Sequence, residues 1–314
     1  MNDILMKVCK FDEISLVYLI LDYIKLRDFC VKINKTNIQL LDIRSGDILR
    51  EFTTSYVKDF FPNMNSNGII NYSINGNLLL TLRENNIINL WDIETGLLIK
   101  EWNCKIDFYS KIGLVVLSPN NKYFIIGMKN NIIELWDIES TNLIKLFKDH
   151  SSRIEALAFS PNGEQFISGS KDETIKLWDI QSGNLINTFQ NYSNISTLAF
   201  SPNGKQFISG DYNNIIKLWN IKSGNIIKIF KNHKNPICSI DFSPNGKYFI
   251  SCDYGSIKLW NLEKEYYTID RFITFKEQIK FSQCGNYIYL TQFTGRKNTE
   301  VRETKTGNLI NLFE

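Results

Sequence analysis

A six-residue segment with tryptophan at its fourth position recurs five times along the chain. The copies occupy Ile88–Ile93, Ile133–Ile138, Ile175–Ile180, Ile216–Ile221 and Ile257–Leu262. Their tryptophans are 41 to 45 residues apart. A period of this length predicts a repeat architecture rather than an ordinary domain. Repeat folds build surfaces more often than active sites, so the pattern constrains function as well as fold.

The segment from Asp149 to Phe189 predicts one complete unit of four short strands. Ser160-Pro161-Asn162-Gly163 separates the first two strands, because proline presets φ and Asn-Gly tolerates positive φ. Short strands separated by turn residues at this spacing indicate an all-β meander. The same order recurs, and weaker copies at both ends bring the number of units to seven. The four strands are expected at Ile154–Phe159, Gln165–Ser168, Thr174–Ile180 and Leu185–Phe189.

Composition argues against several classes of protein. Hydrophobic residues make up 43% and charged residues 22% of the 314 residues, as in soluble globular proteins. The net charge of +3 is too small to indicate a nucleic-acid or membrane partner. We find no secretory signal and no apolar segment long enough to span a bilayer, so we expect an intracellular protein, cytoplasmic or nuclear.

The cysteines and the absent motifs argue against cofactor chemistry. No CxxC pair occurs, which predicts reduced, buried thiols with a structural role. The chain has no Walker A loop, GxSxG elbow, HExxH or zinc-type cluster, so we expect no cofactor and no metal. The six cysteines are Cys9, Cys30, Cys104, Cys238, Cys252 and Cys284.

The Trp-Asp and Trp-Asn pairs, the Ser-Pro-Asn-Gly turns and the Ser-Gly or Thr-Gly turns after the third strands resemble the WD-repeat β-propellers. The resemblance covers nearly the whole chain. It implies a single domain, residues 1–314, that is all-β and folds as a seven-bladed β-propeller of four-stranded antiparallel blades, with degenerate first and last repeats. A sheet with two apolar faces cannot stand alone in water, whereas stacked sheets bury both faces. We therefore expect the third-strand tryptophans to lie between neighbouring blades.

Two segments could supply the outer strand of the last blade. Asn308–Phe313 can do so through a local hairpin at Gly307, and Leu5–Phe11, ahead of a Val17–Asp22 strand, also occupies a fourth-strand position. The hairpin closes the smaller loop. We therefore expect Asn308–Phe313 in the last blade and residues 1–11 as an extra or closing strand.

The resemblance also implies a buried polar network in each blade, made of a histidine, a serine or threonine, an aspartate and the tryptophan. One unit matches this pattern fully, with His150, Ser168, Asp172 and Trp178. A buried indole N–H needs an acceptor, and the acceptor hydroxyl must itself be held. A Ser/His/Asp set can also indicate catalysis, but its match to the family's structural positions favours a structural network.

Two further units match this pattern in part. His233, Ser251 and Trp260 match it, with the acid, Asp253, displaced by one position. The unit of Trp219 has Ser209, with Tyr192 in place of the histidine and Asn213 in place of the acid.

Loops carry function on rigid scaffolds, and the resemblance implies a partner-binding face at the loops between blades and between second and third strands. Tyr212 and Tyr254 occupy equivalent positions in adjacent units and could form one aromatic patch. Two inserts, Thr53–Asn67 and Asn103–Lys111, are either recognition loops or slack in the chain. The candidate partner-binding residues are Arg83, Lys129, Arg153, Lys171, Asp211, Tyr212, Lys234 and Tyr254.

The sequence favours a non-catalytic, monomeric scaffold that binds a protein or peptide partner on the loop-rich face. Two alternatives stay open. Trp219–Lys222, preceded by Ile208–Asp211, resembles the motif with which substrate receptors of cullin-type ubiquitin ligases reach their adaptor. A propeller hydrolase with a channel-mouth site would need a metal or converging acids, but the predicted first strands offer mainly apolar and small residues: Ala156, Ala158, Ser196, Thr197 and Ser239.

Overall fold

The strands of this chain form a series of antiparallel sheets in sequence order. The computed structural model describes residues 29–33, 38–42, 48–52, 69–75, 77–83, 87–93, 95–103, 112–262, 267–269, 277–281, 287–292, 299–304 and 309–313. Within these ranges the strands make seven sheets, of which the first has three strands and the others have four. Each four-stranded sheet is a meander whose neighbours in space are neighbours in sequence. The predicted four-stranded antiparallel unit is therefore confirmed.

The strand bounds are as follows. Sheet 1 contains β1 (Phe29–Ile33), β2 (Ile38–Asp42) and β3 (Ile48–Phe52). Sheet 2 contains β4 (Ile69–Asn75), β5 (Leu78–Arg83), β6 (Ile87–Asp92) and β7 (Leu98–Asn103). Sheet 3 contains β8 (Ile112–Leu117), β9 (Tyr123–Met128), β10 (Ile133–Asp137) and β11 (Leu143–Phe147). Sheet 4 contains β12 (Ile154–Phe159), β13 (Gln165–Ser170), β14 (Thr174–Asp179) and β15 (Leu185–Gln190). Sheet 5 contains β16 (Ile195–Phe200), β17 (Gln206–Asp211), β18 (Ile216–Asn220) and β19 (Ile226–Phe230). Sheet 6 contains β20 (Ile237–Phe242), β21 (Tyr248–Asp253), β22 (Ile257–Asn261) and β23 (Tyr267–Ile269). Sheet 7 contains β24 (Glu277–Phe281), β25 (Tyr287–Gln292), β26 (Thr299–Glu303) and β27 (Leu309–Phe313).

Local side-chain bonds explain why the turns fall where the sequence predicts them. In the first turn of sheet 4, the Gly163 N–H donates to the Ser160 carbonyl at 2.8 Å, and Gly163 has a φ of 70°. The Ser160 hydroxyl accepts the Gln165 N–H at 3.0 Å. After the third strand, the Asp179 carboxylate accepts the Ser182 N–H at 2.7 Å. Asp92 and Asp137 accept the equivalent N–H groups of Thr95 and Ser140, so the aspartate that follows the tryptophan in sheets 2, 3 and 4 forms this turn.

Consecutive sheets pack through their first strands. From sheet 2 to sheet 7, the first strand of each sheet lies against the first strand of the next. Between sheets 4 and 5, one apolar cluster joins Ala156, Ile175 and Phe189 of the first to Ile195 and Trp219 of the second. The burial of both faces of each inner sheet follows from this arrangement.

The tryptophans lie between sheets, as the sequence predicts. Trp178 is 4% exposed, and its ring centroid is 5.1 Å from that of Phe147 in the preceding sheet. Trp219 contacts Phe189 of the preceding sheet at 5.8 Å between ring centroids. Edge-to-face aromatic pairs of this kind add to the energy of area burial. The recurrent tryptophan is therefore an inter-sheet contact.

The outer edge carries a second set of inter-sheet contacts. Lys100 of β7 donates to the carbonyl oxygen of Glu139 in the next sheet at 2.6 Å. Lys145 of β11 bonds the Ser182 carbonyl, and Lys228 of β19 donates to the Leu262 carbonyl at 3.2 Å. Each acceptor belongs to the segment after the third strand of the following sheet. These lysines link neighbouring sheets where the apolar contact is thinnest.

The two ends of the chain agree with the sequence analysis only as far as the described residues reach. β27 pairs with β26, so the expected outer strand at Asn308–Phe313 is present in sheet 7 at Leu309–Phe313. The register of β2 with β3 shifts between Leu40 and Leu41, as between third and fourth strands elsewhere, so β1 to β3 correspond to second to fourth strands. The predicted strands at Leu5–Phe11 and Val17–Asp22, the Thr53–Asn67 insert and residues 104–111 of the second insert lie outside the described residues.

We predict that Gly169→Ala destabilises the protein. An added Cβ would lie 2.4 Å from Ile195 Cγ2 of the next sheet, so the two sheets would have to separate. Overpacking of this kind costs about 1–3 kcal/mol of unfolding free energy. Urea denaturation followed by tryptophan fluorescence measures the loss.

Gly255→Ala is the matched control. Its added Cβ would lie 3.1 Å from the side-chain amide of Asn235, which can rotate away, and in ordinary contact with Asp253 Oδ1 at 3.6 Å. Equal denaturation midpoints for the two variants would contradict the close approach of sheets 4 and 5.

Candidate functional site

A polar network joins the second and third strands of sheet 4 to the loop that precedes its first strand. His150 Nδ1 is 2.7 Å from Asp172 Oδ2, and His150 Nε2 is 2.7 Å from Ser168 Oγ. Trp178 donates its indole N–H to the same Ser168 oxygen at 2.8 Å. An ionised carboxylate can only accept, so Nδ1 carries the proton and Nε2 accepts from the Ser168 hydroxyl. The structure thus brings all four residues of the fully matching unit together.

Sheet 6 builds the same network with the acid on a different residue. His233 Nε2 is 2.6 Å from Ser251 Oγ, which accepts the Trp260 indole N–H at 2.7 Å. His233 Nδ1 is 3.1 Å from Asp253 Oδ2. Asp253 ends the second strand and pairs with Ile237. This is the register position of Ser170 in sheet 4 and Asp211 in sheet 5, so the end of the second strand brings the carboxylate to the histidine.

Sheet 5 corrects two assignments made from the sequence. Asn191, not Tyr192, occupies the histidine position, and its side-chain amide donates to Asp211 Oδ2 at 3.1 Å. Asp211, not Asn213, supplies the carboxylate. Tyr192 is 77% exposed and has a φ of 62°, so its side chain points away from the sheet. Ser209 still accepts the Trp219 indole N–H, at 2.9 Å.

Two other sheets satisfy the indole differently. Trp91 donates to Thr81 Oγ1 at 3.1 Å in sheet 2. Trp136 in sheet 3 donates to Glu134 Oε2 at 2.8 Å on its own strand. Burial raises the pKa of Glu134, although the hydrogen bond from Trp136 opposes this. A side-chain oxygen that accepts the indole N–H is thus the shared requirement, and the histidines of sheets 4 and 6 hold that oxygen in place.

The Ser168, His150 and Asp172 side chains are too enclosed to act on a substrate. The Ser168 side chain has 0% exposure, and its oxygen is already held by the Trp178 indole and the His150 ring. Burial raises the pKa of Asp172, but hydrogen bonds from His150 and Thr174 lower it more, so its pKa lies well below the usual range. A nucleophile must reach its substrate. The trio is a sealed, ionised hydrogen-bond network.

Four exposed side chains stand at equivalent positions at the end of the sheets where second strands finish. Lys129, Lys171, Tyr212 and Tyr254 each follow the second strand of sheets 3, 4, 5 and 6, and we call these four residues the rim row. All four are exposed. Burial raises the pKa of Tyr212. The charge of Glu155 in the preceding sheet raises this pKa further, whereas the charge of Arg153 lowers it. The pKa of Tyr254 is raised by burial, with an electrostatic contribution from Tyr212. The two tyrosines therefore stand at equivalent positions in adjacent sheets.

A charged group adjoins the rim row in sheet 4. Arg153 Nε is 3.2 Å and Lys171 Nζ is 3.5 Å from the same Glu155 oxygen. Glu155 lies at a register shift between Ile154 and Ala156, where a bulge turns its side chain out of the normal alternation. The sequence analysis did not identify Glu155, since strand alternation alone does not reveal a bulge.

The remaining partner-binding candidates divide into accessible and inaccessible residues. Lys234 is exposed at the same end, and its N–H donates to Asp253 Oδ2 at 3.1 Å. Asp211 is 1% exposed and accepts backbone N–H groups from Asn213 and Ile215, so it cannot be a contact residue. Arg83 ends β5, but its side chain lies outside the described part of the structure.

The ligase-like motif does not form one surface. Trp219 is 3% exposed, and Asn220 Oδ1 accepts the Ser223 N–H at 2.9 Å, as Asp179 does for Ser182. Asp211 is buried at the end of β17, whereas the exposed Lys222 follows β18 at the opposite end of the sheet. Each of these residues does what its equivalent does in the neighbouring sheets.

The described ranges contain no group of three or more His, Cys, Asp or Glu residues placed to hold a metal ion. No helix among them is long and apolar enough to cross a membrane.

Comparison with known proteins agrees with the geometry. A family model described as the IFT122 first beta-propeller matches residues 111–300, more than half of the chain. No curated protein matches the chain.

We predict that Ser168→Ala costs more stability than Ser209→Ala. The first change leaves two buried groups without their partner, the His150 ring and the Trp178 indole, whereas the second removes the acceptor of the Trp219 indole alone. Each unsatisfied buried group costs about 1–3 kcal/mol. Urea denaturation of the two variants gives the difference, and equal losses would show that His150 does not depend on Ser168.

Proposed function

The chain belongs to the IFT122 first β-propeller family, and on that premise we propose that it is a non-catalytic scaffold that binds a protein or peptide partner at the rim row. One observation supports the proposal above the others: four consecutive sheets place an exposed lysine or tyrosine at one equivalent position. The histidines and the other buried polar side chains of these sheets take part in internal networks. The side chains that remain accessible are therefore suited to binding a partner by surface contact.

We propose further that the sheets close into a seven-bladed ring formed by one chain. The seven sheets and the stepwise packing of first strands from sheet 2 to sheet 7 support this arrangement. Sheets 1 and 7 would meet to complete the ring, because closure shelters the two remaining apolar faces. The rim row would then follow an arc around the mouth of the central channel.

Backbone hydrogen bonds hold two positions of the rim row in place. Tyr212 donates its backbone N–H to Asn194 O at 3.1 Å, and Lys171 donates its backbone N–H to Arg153 O at 3.0 Å, so each of these two is bonded to the residue before the first strand of its sheet. A preformed surface loses little conformational entropy on binding. Tyrosine provides large contact area with few rotatable bonds, which suits it to the centre of an interface.

The charges in the row indicate the chemistry of the partner. Charges of both signs stand beside the tyrosines: Lys129, Lys171 and Lys234 are exposed bases, and Glu173 is an exposed acid. We propose a partner segment that places acidic side chains against Lys129 and Lys171 and apolar or aromatic side chains against Tyr212 and Tyr254. The low net charge of the chain argues against nucleic acid as that partner. We also propose that the protein is intracellular.

We predict that Lys129→Glu/Lys171→Glu and Tyr212→Ala/Tyr254→Ala each remove the same set of proteins recovered with the tagged full-length chain. The measurement is affinity purification with quantitative mass spectrometry, and at least a tenfold loss is expected because interface anchors of this type contribute about 2 kcal/mol or more each.

Lys122→Glu/Lys205→Glu is the matched control. These lysines are exposed in the turns between first and second strands, at the opposite end of sheets 3 and 5. Retention of partners by both rim variants, or their loss only from the control variant, would contradict binding at the rim row.

A further inference from the structure

Two cysteines lie side by side on the first two strands of sheet 6. Cys238 Sγ is 2.9 Å from Cys252 Sγ and 3.1 Å from the Cys252 carbonyl oxygen. Neither is part of a disulfide bond. A disulfide bond joins sulfur atoms at about 2.05 Å, so bond formation needs a movement of less than about 1 Å.

The equivalent positions in the neighbouring sheets show what is particular to this pair. Glycine occupies the position of Cys252 in sheets 3, 4 and 5, as Gly127, Gly169 and Gly210. Ser196 occupies the position of Cys238 in sheet 5, and its hydroxyl donates to the Gly210 carbonyl at 2.9 Å. Cys238 keeps the corresponding carbonyl contact and has a second thiol beside it as well.

A bulge brings the first thiol over the second. The register of β20 with β21 passes from Ile237 opposite Asp253 directly to Ser239 opposite Cys252, so Cys238 has no cross-strand partner in the ladder. Bulged residues are turned out of the regular alternation of a strand. The Cys238 side chain therefore leans toward Cys252, its diagonal neighbour.

The two thiols differ in accessibility. Cys252 is 0% exposed and packs in an apolar cluster with Ile257, Leu259 and Ile279. Cys238 is half-buried at the margin of that cluster. An oxidant can therefore reach Cys238 directly and Cys252 only through Cys238.

We propose that Cys238 and Cys252 form a dithiol site that low-molecular-weight disulfides such as glutathione disulfide oxidise reversibly. Cys238 attacks one sulfur of the oxidant as a thiolate, which breaks its S–S bond, and the departing thiolate takes up the proton that Cys238 released. Cys252 then loses its proton and attacks the Cys238 sulfur, and the second small thiolate leaves and takes up that proton. Two protein thiols and one small disulfide give one protein disulfide and two small thiols. The reduced pair is regenerated by the same steps in reverse.

The test is incubation of the folded full-length chain with glutathione disulfide, followed by alkylation of free thiols, trypsin digestion and mass spectrometry. Cleavage after Lys234, Lys247 and Lys258 puts the two cysteines in separate peptides, 235–247 and 248–258. We expect these two peptides to be joined, with a mass two hydrogens below their reduced sum and with no retained glutathione. Retention of glutathione on Cys238 without a cross-link, or no reaction at Cys238, would overturn the proposal.

Two variants assign the order of attack. Cys252→Gly restores the glycine of sheets 3 to 5, and Cys238→Ser restores the serine of sheet 5, so both use residues that the chain already places at these positions. In Cys252→Gly we expect glutathione to remain on Cys238. In Cys238→Ser we expect Cys252 to stay unmodified over the same time, and modification at the wild-type rate would contradict the assigned order.

Discussion

Burial of the apolar faces between neighbouring sheets is the constraint on which this structure depends. In sheet 4 the four central residues of β14 are buried, so neither face of that strand meets water. A single four-stranded sheet cannot achieve this, and the neighbouring sheets supply the cover. The glycines at the inner edge follow from the same constraint, because a Cβ at Gly169 or Gly210 would lie within 2.6 Å of the next sheet. The recurrent tryptophan fills the gap that opens between sheets farther from this edge.

Tight stacking of the sheets also determines which polar side chains are used in internal hydrogen bonds. An indole held between two sheets needs an acceptor, and sheets 4, 5 and 6 each provide a serine on the second strand. The serine, histidine and aspartate that resemble a catalytic set are consumed by this requirement. Side chains that remain exposed lie at the ends of the strands, as in the rim row, and along the fourth strands, as at Ile144, Ile186 and Ile227.

Periodicity in the sequence was sufficient for the repeat, the strand order and most turns, because each is set by local residues such as Pro161 and Gly163. It was also sufficient to predict the contacts of His150, because Ser168, Asp172 and Trp178 all stand at the spacing expected of the repeat. It failed in sheet 5, where the substitute for histidine is Asn191 and the acid moves to Asp211, because several polar residues lie within one or two positions of the expected place. It also missed Glu155 and the pairing of Cys238 with Cys252. Both depend on a bulge, which is a property of the register between strands and not of either strand alone.

Hydrogen exchange in the Ile195→Ala variant tests most directly whether the sheets shelter one another. Ile195 begins β16 in sheet 5 and lies in one cluster with Ala156, Ile175 and Phe189 of sheet 4. The account predicts that amide protection falls in β13 and β14 of sheet 4 as well as in β17 and β18 of sheet 5, because both lose the same contact. Loss of protection confined to sheet 5 would show that the sheets are stable independently and would contradict the account.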